Sequence, residues 1–211
     1  MMQPTKIRTV EQLLDRTAIF DLLCQERLCR DNQMWEEMTD LYAEDSEVDL
    51  SWFKGSGKEF VEASRRQYTS GAGIGFHVLV PLRLWLEVDR ALVDSYVQVN
   101  IRSSQNVGAH KEEDEYELCS HTRTFSRVRR VGDDWKMMSF KPIYIRDTLQ
   151  PVYFDRPLDI DWDATRQISA AKRFLGWKAS DRRGHTQMIG YDEKEKVAAL
   201  LEGELAWVYG A

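Results

Sequence analysis

The sequence predicts an α+β fold, in which helices come first and a curved antiparallel sheet follows. Apolar residues recur at helical spacing over roughly the first seventy residues. From Gly75 onward, four long segments rich in aromatic and β-branched residues indicate strands. The connections VDR and VGDD are tight turns and QNVGAHKEEDE is an acidic loop. Neighbouring strands are therefore expected to pair in an antiparallel meander.

The helical part begins with a long amphipathic segment over residues 10–31. Its apolar residues share helical spacing and predict one buried stripe, made of Val10, Leu13, Leu14, Ala18, Leu22 and Leu28. Asp21, Arg27 and Asp31 interrupt this stripe. A second, short helix is expected from Trp35, and a third over about residues 58–68, after the helix-breaking residues of KGSG.

The strand part has one short segment and four long ones. EVDLSWF, between the second and third helices, predicts a single short strand. The long candidates are FHVLVPLRLWLEV, ALVDSYVQVNIRS, YELCSHTRTFSRVRRV and WKMMSFKPIYIR.

The segment after Pro157 has a different pattern. DWDATRQISAAKRFLGW and DEKEKVAALLEGELAW each predict a helix, and the second helix carries Val197, Leu200, Leu201 and Leu205 on one face. We therefore divide the chain into an α+β domain, residues 1–157, and a helical extension, residues 158–211. The apolar faces of such helices must be buried on the core, over a pocket or against another subunit, and these alternatives stay open.

Composition excludes several classes of function. The chain has 211 residues, of which 43% are hydrophobic and 30% charged, and this suits a globular protein. A net charge of -6 argues against a nucleic-acid partner. Three cysteines without a CxxC motif predict neither a disulfide framework nor a zinc ribbon, so a reducing cytoplasm is expected. No leader pattern or continuous apolar stretch indicates secretion or membrane insertion.

Asp31 closes the amphipathic helical run and His77 opens a strand-like apolar run, and an ionisable group that faces the core from such an element is costly without a partner or a task. If the first helix crosses the sheet, the carboxylate can hold the imidazole in one tautomer and raise its basicity. Two structural readings stay open. His77 can be a core histidine bonded to backbone, and Asp31 can cap the turn before Trp35 or pair with Arg27.

The other histidines favour no site. Strand alternation places His121 on the face opposite Thr122 and Thr124, unless a bulge reverses it. His110 and His185 lie in polar segments. Without local ligand spacing, no metal site is predicted.

The order of elements resembles the SnoaL-like branch of the cone-shaped nuclear transport factor 2 superfamily, and within it the scytalone dehydratases most closely. The resemblance covers roughly residues 10–155 and is carried by RDNQMW, EVDLSWF, His77 followed by LWLEV, and RVRRVGDDWKMMSFKP. It implies a cone-shaped antiparallel sheet wrapped by the N-terminal helices. It also implies that Asp31 and His77 are the catalytic pair and that Phe53 is an aromatic pocket wall.

The sequence also departs from the scytalone dehydratase pattern. Arg30 and Leu50 stand where those enzymes use tyrosines to polarise the substrate carbonyl, so scytalone is not the expected substrate. Asn100 and Arg102 occupy the strand that would supply a second pocket histidine, and Thr122 and Thr124 match a serine and an asparagine. The residues expected to bind substrate are therefore Phe53, Asn100, Arg102, Thr122, Thr124 and Tyr144, the last as part of an aromatic pocket.

These residues predict a cofactor-independent lyase or isomerase acting on a small aromatic or polyketide-like molecule. Dehydration, dehydrohalogenation, double-bond migration, ring closure and loss of formaldehyde from a lignin-derived alcohol all fit such a base. No GxGxxG, Walker, GxSxG or HExxH motif occurs, so neither a nucleotide cofactor nor a metal is expected. Two non-catalytic alternatives stay open: a scaffold similar to the β subunit of ring-hydroxylating dioxygenases, and a ligand-binding protein.

We also expect a homodimer or homotrimer. If Thr122 and Thr124 point into the cone, the opposite face of their strand points outward. That outer face mixes aromatic and charged groups, as subunit contacts often do. This outer set is Cys119, His121, Arg123 and Phe125.

Overall fold

The computed structural model describes residues 2–70, 74–104, 115–155, 158–179 and 188–210. Its helices are α1 (Val10–Asp31), α2 (Trp35–Asp40), α3 (Gly57–Thr69), α4 (Trp162–Arg166), α5 (Arg173–Ala179) and α6 (Lys194–Tyr209). Its strands are β1 (Glu47–Leu50), β2 (Phe53–Ser56), β3 (Ile74–Leu86), β4 (Arg90–Ser104), β5 (Glu115–Val131), β6 (Asp134–Pro151) and β7 (Ile189–Gly190). Most of the acidic loop before β5 lies outside the described residues.

The four long strands form the predicted antiparallel meander. The main sheet has the order β3-β4-β5-β6-β7, and each pair from β3 to β6 is antiparallel. The two-residue strand β7, which the sequence did not predict, pairs parallel to β6. The sheet is curved, and α1, α2 and α3 pack on its inner face, so the α+β prediction is confirmed.

EVDLSWF does not form the single strand predicted: its first four residues form β1, and Phe53 begins β2. The chain turns at Ser51 and Trp52, so that Leu50 pairs with Phe53 and β1 with β2 form a small separate sheet. The cause is tertiary: the rings of Trp52 and Phe53 both pack against Phe60 of α3, with centroids 5.7 and 5.5 Å away. Residues that would extend one strand therefore turn back toward the helix.

Helix α1 spans the predicted residues but buries a different face. Val10, Leu13, Leu14 and Leu28, all predicted to be buried, are 68, 50, 64 and 49% exposed. The buried residues are Ile19, Leu22, Leu23, Glu26, Arg27, Cys29 and Arg30, so only Leu22 belongs to both sets. Charged residues share the buried face because it borders an internal cavity. The apolar residues alone therefore marked the wrong side of the helix.

The segment after Pro157 packs on both sides of the sheet. The first predicted helix of this tail is divided into the short helices α4 and α5, whereas the second forms α6 as expected. α6 covers the outer face of the sheet, where its Leu201, Leu205 and Val208 pack on buried Trp85, Leu92, Phe125 and Ile143. Within the described residues, no helix is both long and apolar enough to cross a membrane.

This packing corrects the predicted subunit contact. Phe125 is fully buried beneath α6 and is not an outer contact. Arg123 donates two hydrogen bonds, each 2.7 Å, to the buried carboxylate of Asp94. The outer face of β5 is thus partly covered by the chain's own tail, which the strand pattern alone does not show.

Candidate active site

The inner face of the sheet and the helices enclose a cavity of about 150 Å³. Its apolar wall is formed by Leu23, Leu50, Trp52, Leu79, Val97, Val99, Ile101, Met137, Phe140, Pro142 and Leu175. Its polar groups belong to Glu26, Arg27, Arg30, Ser51, Gln67, Tyr68, His77, Thr122, Thr124, Ser126, Tyr144 and Lys178. A cavity of about this volume has room for one benzene-sized ring.

Asp31 and His77 meet at this wall, although 46 residues separate them in sequence. His77 Nδ1 lies 2.7 Å from Asp31 Oδ1, and the backbone N–H of His77 donates a 2.6 Å hydrogen bond to Asp31 Oδ2. The side chain of His77 is only 6% exposed, and that of Asp31 is 13% exposed. His77 lines the cavity, whereas Asp31, the last residue of α1, lies behind it. The carboxylate therefore positions the imidazole without reaching the cavity itself.

This geometry determines the tautomer of His77. Because a carboxylate oxygen only accepts, Nδ1 carries the proton and Nε2 keeps its lone pair. Nε2 makes no hydrogen bond to another described residue. Burial lowers the pKa of His77 to about 4, and although Asp31 raises it, Arg27 and Arg30 lower it further. The expected rise in basicity is thus outweighed, and the ring is a neutral base at pH 7.

Three of the predicted substrate-binding residues line the cavity: Thr122, Thr124 and Tyr144. The Thr122 hydroxyl donates to the Val97 carbonyl oxygen at 3.1 Å and lies 3.3 Å from the Thr124 hydroxyl. Burial raises the pKa of Tyr144 to about 12, so its phenol is a neutral donor at pH 7. These groups offer polar contacts within an apolar chamber.

Phe53, Asn100 and Arg102 do not line the cavity. Strand alternation turns Val97, Val99 and Ile101 inward, so Asn100 and Arg102 point to the other face. There Asn100 Oδ1 accepts from Gln98, and Arg102 pairs with Glu117.

Phe53 instead packs beside Trp52 and on Phe60, since the chain turns at Trp52. Trp52 takes the place in the cavity wall that we predicted for Phe53. All three assignments as substrate contacts are therefore corrected.

Four charged residues of the cavity wall were not predicted as site residues: Glu26, Arg27, Arg30 and Lys178. In the sequence, Arg27 reads as an interruption of an apolar stripe. Glu26 and Arg30, however, are four residues apart, and both share a helix face with Leu23. That spacing is the signal that could have placed them at the site. Nothing in the local pattern of α5 marks Lys178.

Of the remaining histidines, the described part of the chain contains His121 alone. His121 faces away from the cavity, as predicted, with Nε2 3.5 Å from Cys119 Sγ. A register shift beside it leaves the alternation of β5 intact, since the extra residue belongs to β6. His110 and His185 lie outside the described residues. In the described part of the chain, no three His, Cys, Asp or Glu side chains form a group that could hold a metal ion.

Sequence comparison identifies the family to which a chain with this fold belongs. Residues 11–141 match the SnoaL-like domain family, and the chain belongs to this family. The predicted resemblance is thereby confirmed. No curated protein matches the chain in sequence.

Solved structures show the same fold at low sequence identity. A hexachlorocyclohexane dehydrochlorinase, LinA type 2, superposes with a TM-score of 0.58 at 15% identity, covering 72% of this chain and 99% of that one. A protein provisionally named a scytalone dehydratase from Novosphingobium aromaticivorans DSM 12444 gives 0.51 at 17% identity, covering 71% and 95%. Another LinA structure gives 0.52 at 15% identity, covering 68% and 92%.

Proposed function

We propose that this protein is a cofactor-independent lyase or isomerase that removes a proton from carbon in a small ring-bearing molecule. The observation that carries the proposal is the buried hydrogen bond between Asp31 and His77 in the wall of an apolar cavity. A purely structural histidine has no need of an unpartnered Nε2 at a cavity surface. A general base needs that arrangement.

In the proposed reaction, His77 Nε2 takes a proton from a carbon of the bound molecule. The Nδ1 proton stays hydrogen-bonded to Asp31, whose negative charge stabilises the imidazolium that forms. Burial strengthens this interaction, because the two side chains are only 6 and 13% exposed and little solvent screens them. The electron pair left on carbon then expels a leaving group from the neighbouring carbon or forms a shifted double bond.

The cavity wall can orient the bound molecule as well as accept its proton. Its aliphatic side chains leave room for one ring, and Thr122, Thr124 and Tyr144 offer hydroxyl groups to a leaving oxygen or a carbonyl. Two structural neighbours are named for eliminations, a dehydrochlorinase and a dehydratase. Elimination is therefore the form of the reaction that we propose first, ahead of isomerisation.

A nitro-substituted benzisoxazole tests the base without knowledge of the natural substrate. A base removes its one ring C–H proton on the isoxazole carbon, the N–O bond breaks, and a coloured nitrophenolate nitrile forms. We expect the protein to accelerate this ring opening, and His77→Ala to lower the rate by about 10² to 10⁴. His121→Ala, which removes a histidine outside the cavity, is the matched control and should keep the full rate.

If His77→Ala opens the ring as fast as the unaltered protein while His121→Ala is folded and active, His77 is not the base. That result would favour the alternative of a ligand-binding protein that keeps the fold without the chemistry. Crystals grown with cell metabolites and inspected for density beside His77 would then identify the natural ligand.

A further inference from the structure

The cavity wall carries more positively charged than negatively charged side chains. Arg27, Arg30 and Lys178 bring three cations to its wall, and Glu26 brings one carboxylate. Glu26 is already engaged: Oε2 lies 2.5 Å from Arg27 Nε, and Oε1 accepts a 2.7 Å hydrogen bond from the Tyr42 hydroxyl. Asp31, behind the wall, is occupied by His77. Among the described residues, Arg30 and Lys178 therefore have no ion-pair partner at the cavity.

Arg30 has the more confined environment of the two. The residue is 8% exposed, and its Nε is buried without a hydrogen-bond partner. Its guanidinium packs against the rings of Trp52 and Phe60, at 5.5 and 5.2 Å. Burial, followed by the neighbouring Arg27, lowers its pKa, and the Glu26 carboxylate opposes this without offsetting it. An unpaired buried charge of this kind is costly unless a ligand completes it.

Lys178 of α5 resembles Arg30 in having a buried side-chain nitrogen next to an aromatic ring. Its ammonium lies 5.2 Å from the ring centre of Tyr116, and Nζ is buried without a hydrogen-bond partner. Lys178 reaches the wall from α5, whereas Arg30 reaches it from α1. Two separate helices thus place at one cavity cations that have no ion-pair partner among the described residues.

We propose that the substrate of this site is a single-ring carboxylate, whose anionic group is bound by Arg30 with Lys178 as the second cation. The ring follows from the size and apolar wall of the cavity, and the carboxylate follows from the missing negative charge. A guanidinium presents parallel N–H donors that match the two oxygens of a carboxylate. The inference deepens the proposed function, on which it rests for the claim that the bound molecule reacts.

Calorimetry with benzoate and benzamide tests this inference, because the two have nearly the same shape and differ in charge. We expect the protein to bind benzoate roughly tenfold to hundredfold more tightly, as hydrogen bonds to charged groups require. Arg30→Gln should reduce this preference to within about threefold, and Arg30→Lys should keep part of it. Lys178→Gln should also reduce the preference. Arg65→Gln, which changes an exposed arginine of α3, is the matched control.

Equal affinities for benzoate and benzamide would overturn the inference. A preference that persists in both Arg30→Gln and Lys178→Gln would overturn it as well. Circular dichroism checks the fold of each variant, and if Arg30→Gln does not fold, Arg30→Lys and Lys178→Gln carry the test.

Binding of benzoate requires no turnover, so the two proposals fail separately. A carboxylate preference together with ring opening that His77→Ala leaves unchanged refutes the lyase and supports the anion site. Ring opening without a charge preference refutes the anion site alone.

Discussion

His77 is held at two points by one carboxylate, through its ring Nδ1 and through its own backbone N–H. This double attachment fixes both the ring and the start of β3 relative to the end of α1. A carboxylate at a helix C-terminus meets the negative end of the helix dipole, so these two hydrogen bonds also offset an unfavourable position. Asp31 is thus a positioning residue, and His77 is the group that meets the bound molecule.

The first prediction concerns the coupling of this pair. Asp31→Asn should lower the ring-opening rate nearly as much as His77→Ala, because an amide cannot accept both N–H groups and the ring loses its tautomer. The double variant should be no slower than His77→Ala alone. Steady-state rates on the nitrobenzisoxazole for all four proteins provide this measurement. Losses in activation free energy that simply add would show that the two residues act independently.

The second prediction is a pH profile with an unusually acidic limb. Because burial lowers the pKa of His77 to about 4, kcat/KM for ring opening should stay constant from about pH 8 to about pH 5. Below that range it should fall as the imidazole gains a proton. An inflection near 6.5, the ordinary value for histidine, would show that the ring is not buried as described.

The same shift makes stability depend on pH, which is the third prediction. The unfolded chain binds a proton at His77 near pH 6.5, whereas the folded protein binds it near pH 4. The free energy of unfolding should therefore fall as the pH drops through this window, by at most about 1.4 kcal/mol per pH unit for this group. Urea unfolding of His77→Gln beside the unaltered protein isolates the contribution, since the variant should lack it.

At the scale of single elements, α5 is held over the cavity by a residue of β6. Asp147 Oδ2 accepts a 2.8 Å hydrogen bond from the backbone N–H of Leu175, so a strand residue caps the first turn of this seven-residue helix. Burial raises the pKa of Asp147, while the backbone N–H groups of α5 oppose that rise. The cap matters to the site because α5 contributes Leu175 and Lys178 to the cavity wall.

The fourth prediction follows from this cap. Asp147→Ala should lower the free energy of unfolding by about 1 kcal/mol and should speed amide hydrogen exchange mainly within α5. Mass spectrometry of exchanged peptides distinguishes the helix from the sheet. Asp155→Ala, which changes a nearby exposed carboxylate, serves as the control. Faster exchange spread evenly over β4 and β5 would contradict a local capping role.

The attachment of α6 combines apolar packing with a buried charge. Glu204 is 1% exposed; its Oε2 lies 2.5 Å from Arg127 Nε, and Oε1 lies 3.1 Å from Lys141 Nζ. The carboxylate therefore ties the helix to two strands of the outer face, beside the packing of Leu201 and Leu205. Helix α6 therefore buries that part of the sheet's outer face.

The whole molecule leaves another part of its outer face apolar. The alternate side chains of β3, together with one from β4, are large and about half exposed: Phe76, Val78, Val80, Leu82 and Tyr96. They lie beside the region that α6 covers and away from the cavity. A contiguous apolar patch of this kind marks an interaction surface, so we place the proposed homodimer or homotrimer contact here.

The fifth prediction tests this assembly. Light scattering at micromolar concentration should give a mass of two or three times 24.7 kDa. Val78→Lys should shift the mass toward the monomer, because a charge in an apolar contact is costly. Val88→Lys, at a position that is 86% exposed outside β3, should leave the mass unchanged. A mass of 24.7 kDa at every concentration would rule the proposal out.

Much of the fold can be predicted from the sequence because periodicity is a local property. The period of apolar residues placed α1, and aromatic and β-branched residues placed the four long strands, although the last strand was predicted to end at Arg146 and extends to Pro151. The short turns implied their antiparallel order. His77 stood out at the start of a mostly apolar strand, whereas Asp31, in a helix with several other charged residues, was marked mainly by the family resemblance. The single strand predicted at EVDLSWF was wrong, since the packing of Trp52 and Phe53 on α3 outweighs strand propensity.

Only the tertiary structure decided which face of each element meets the cavity. Alternation in β4 separates Asn100 and Arg102 from their apolar neighbours, but it does not say which set points inward. In α1 the cavity turns Glu26, Arg27 and Arg30 to the buried side, a choice that apolar spacing cannot reveal. Burial depends on what packs against a face, and those partners are distant in sequence. The sequence by itself therefore determined the elements and the candidate pair, while packing determined the cavity and its charges.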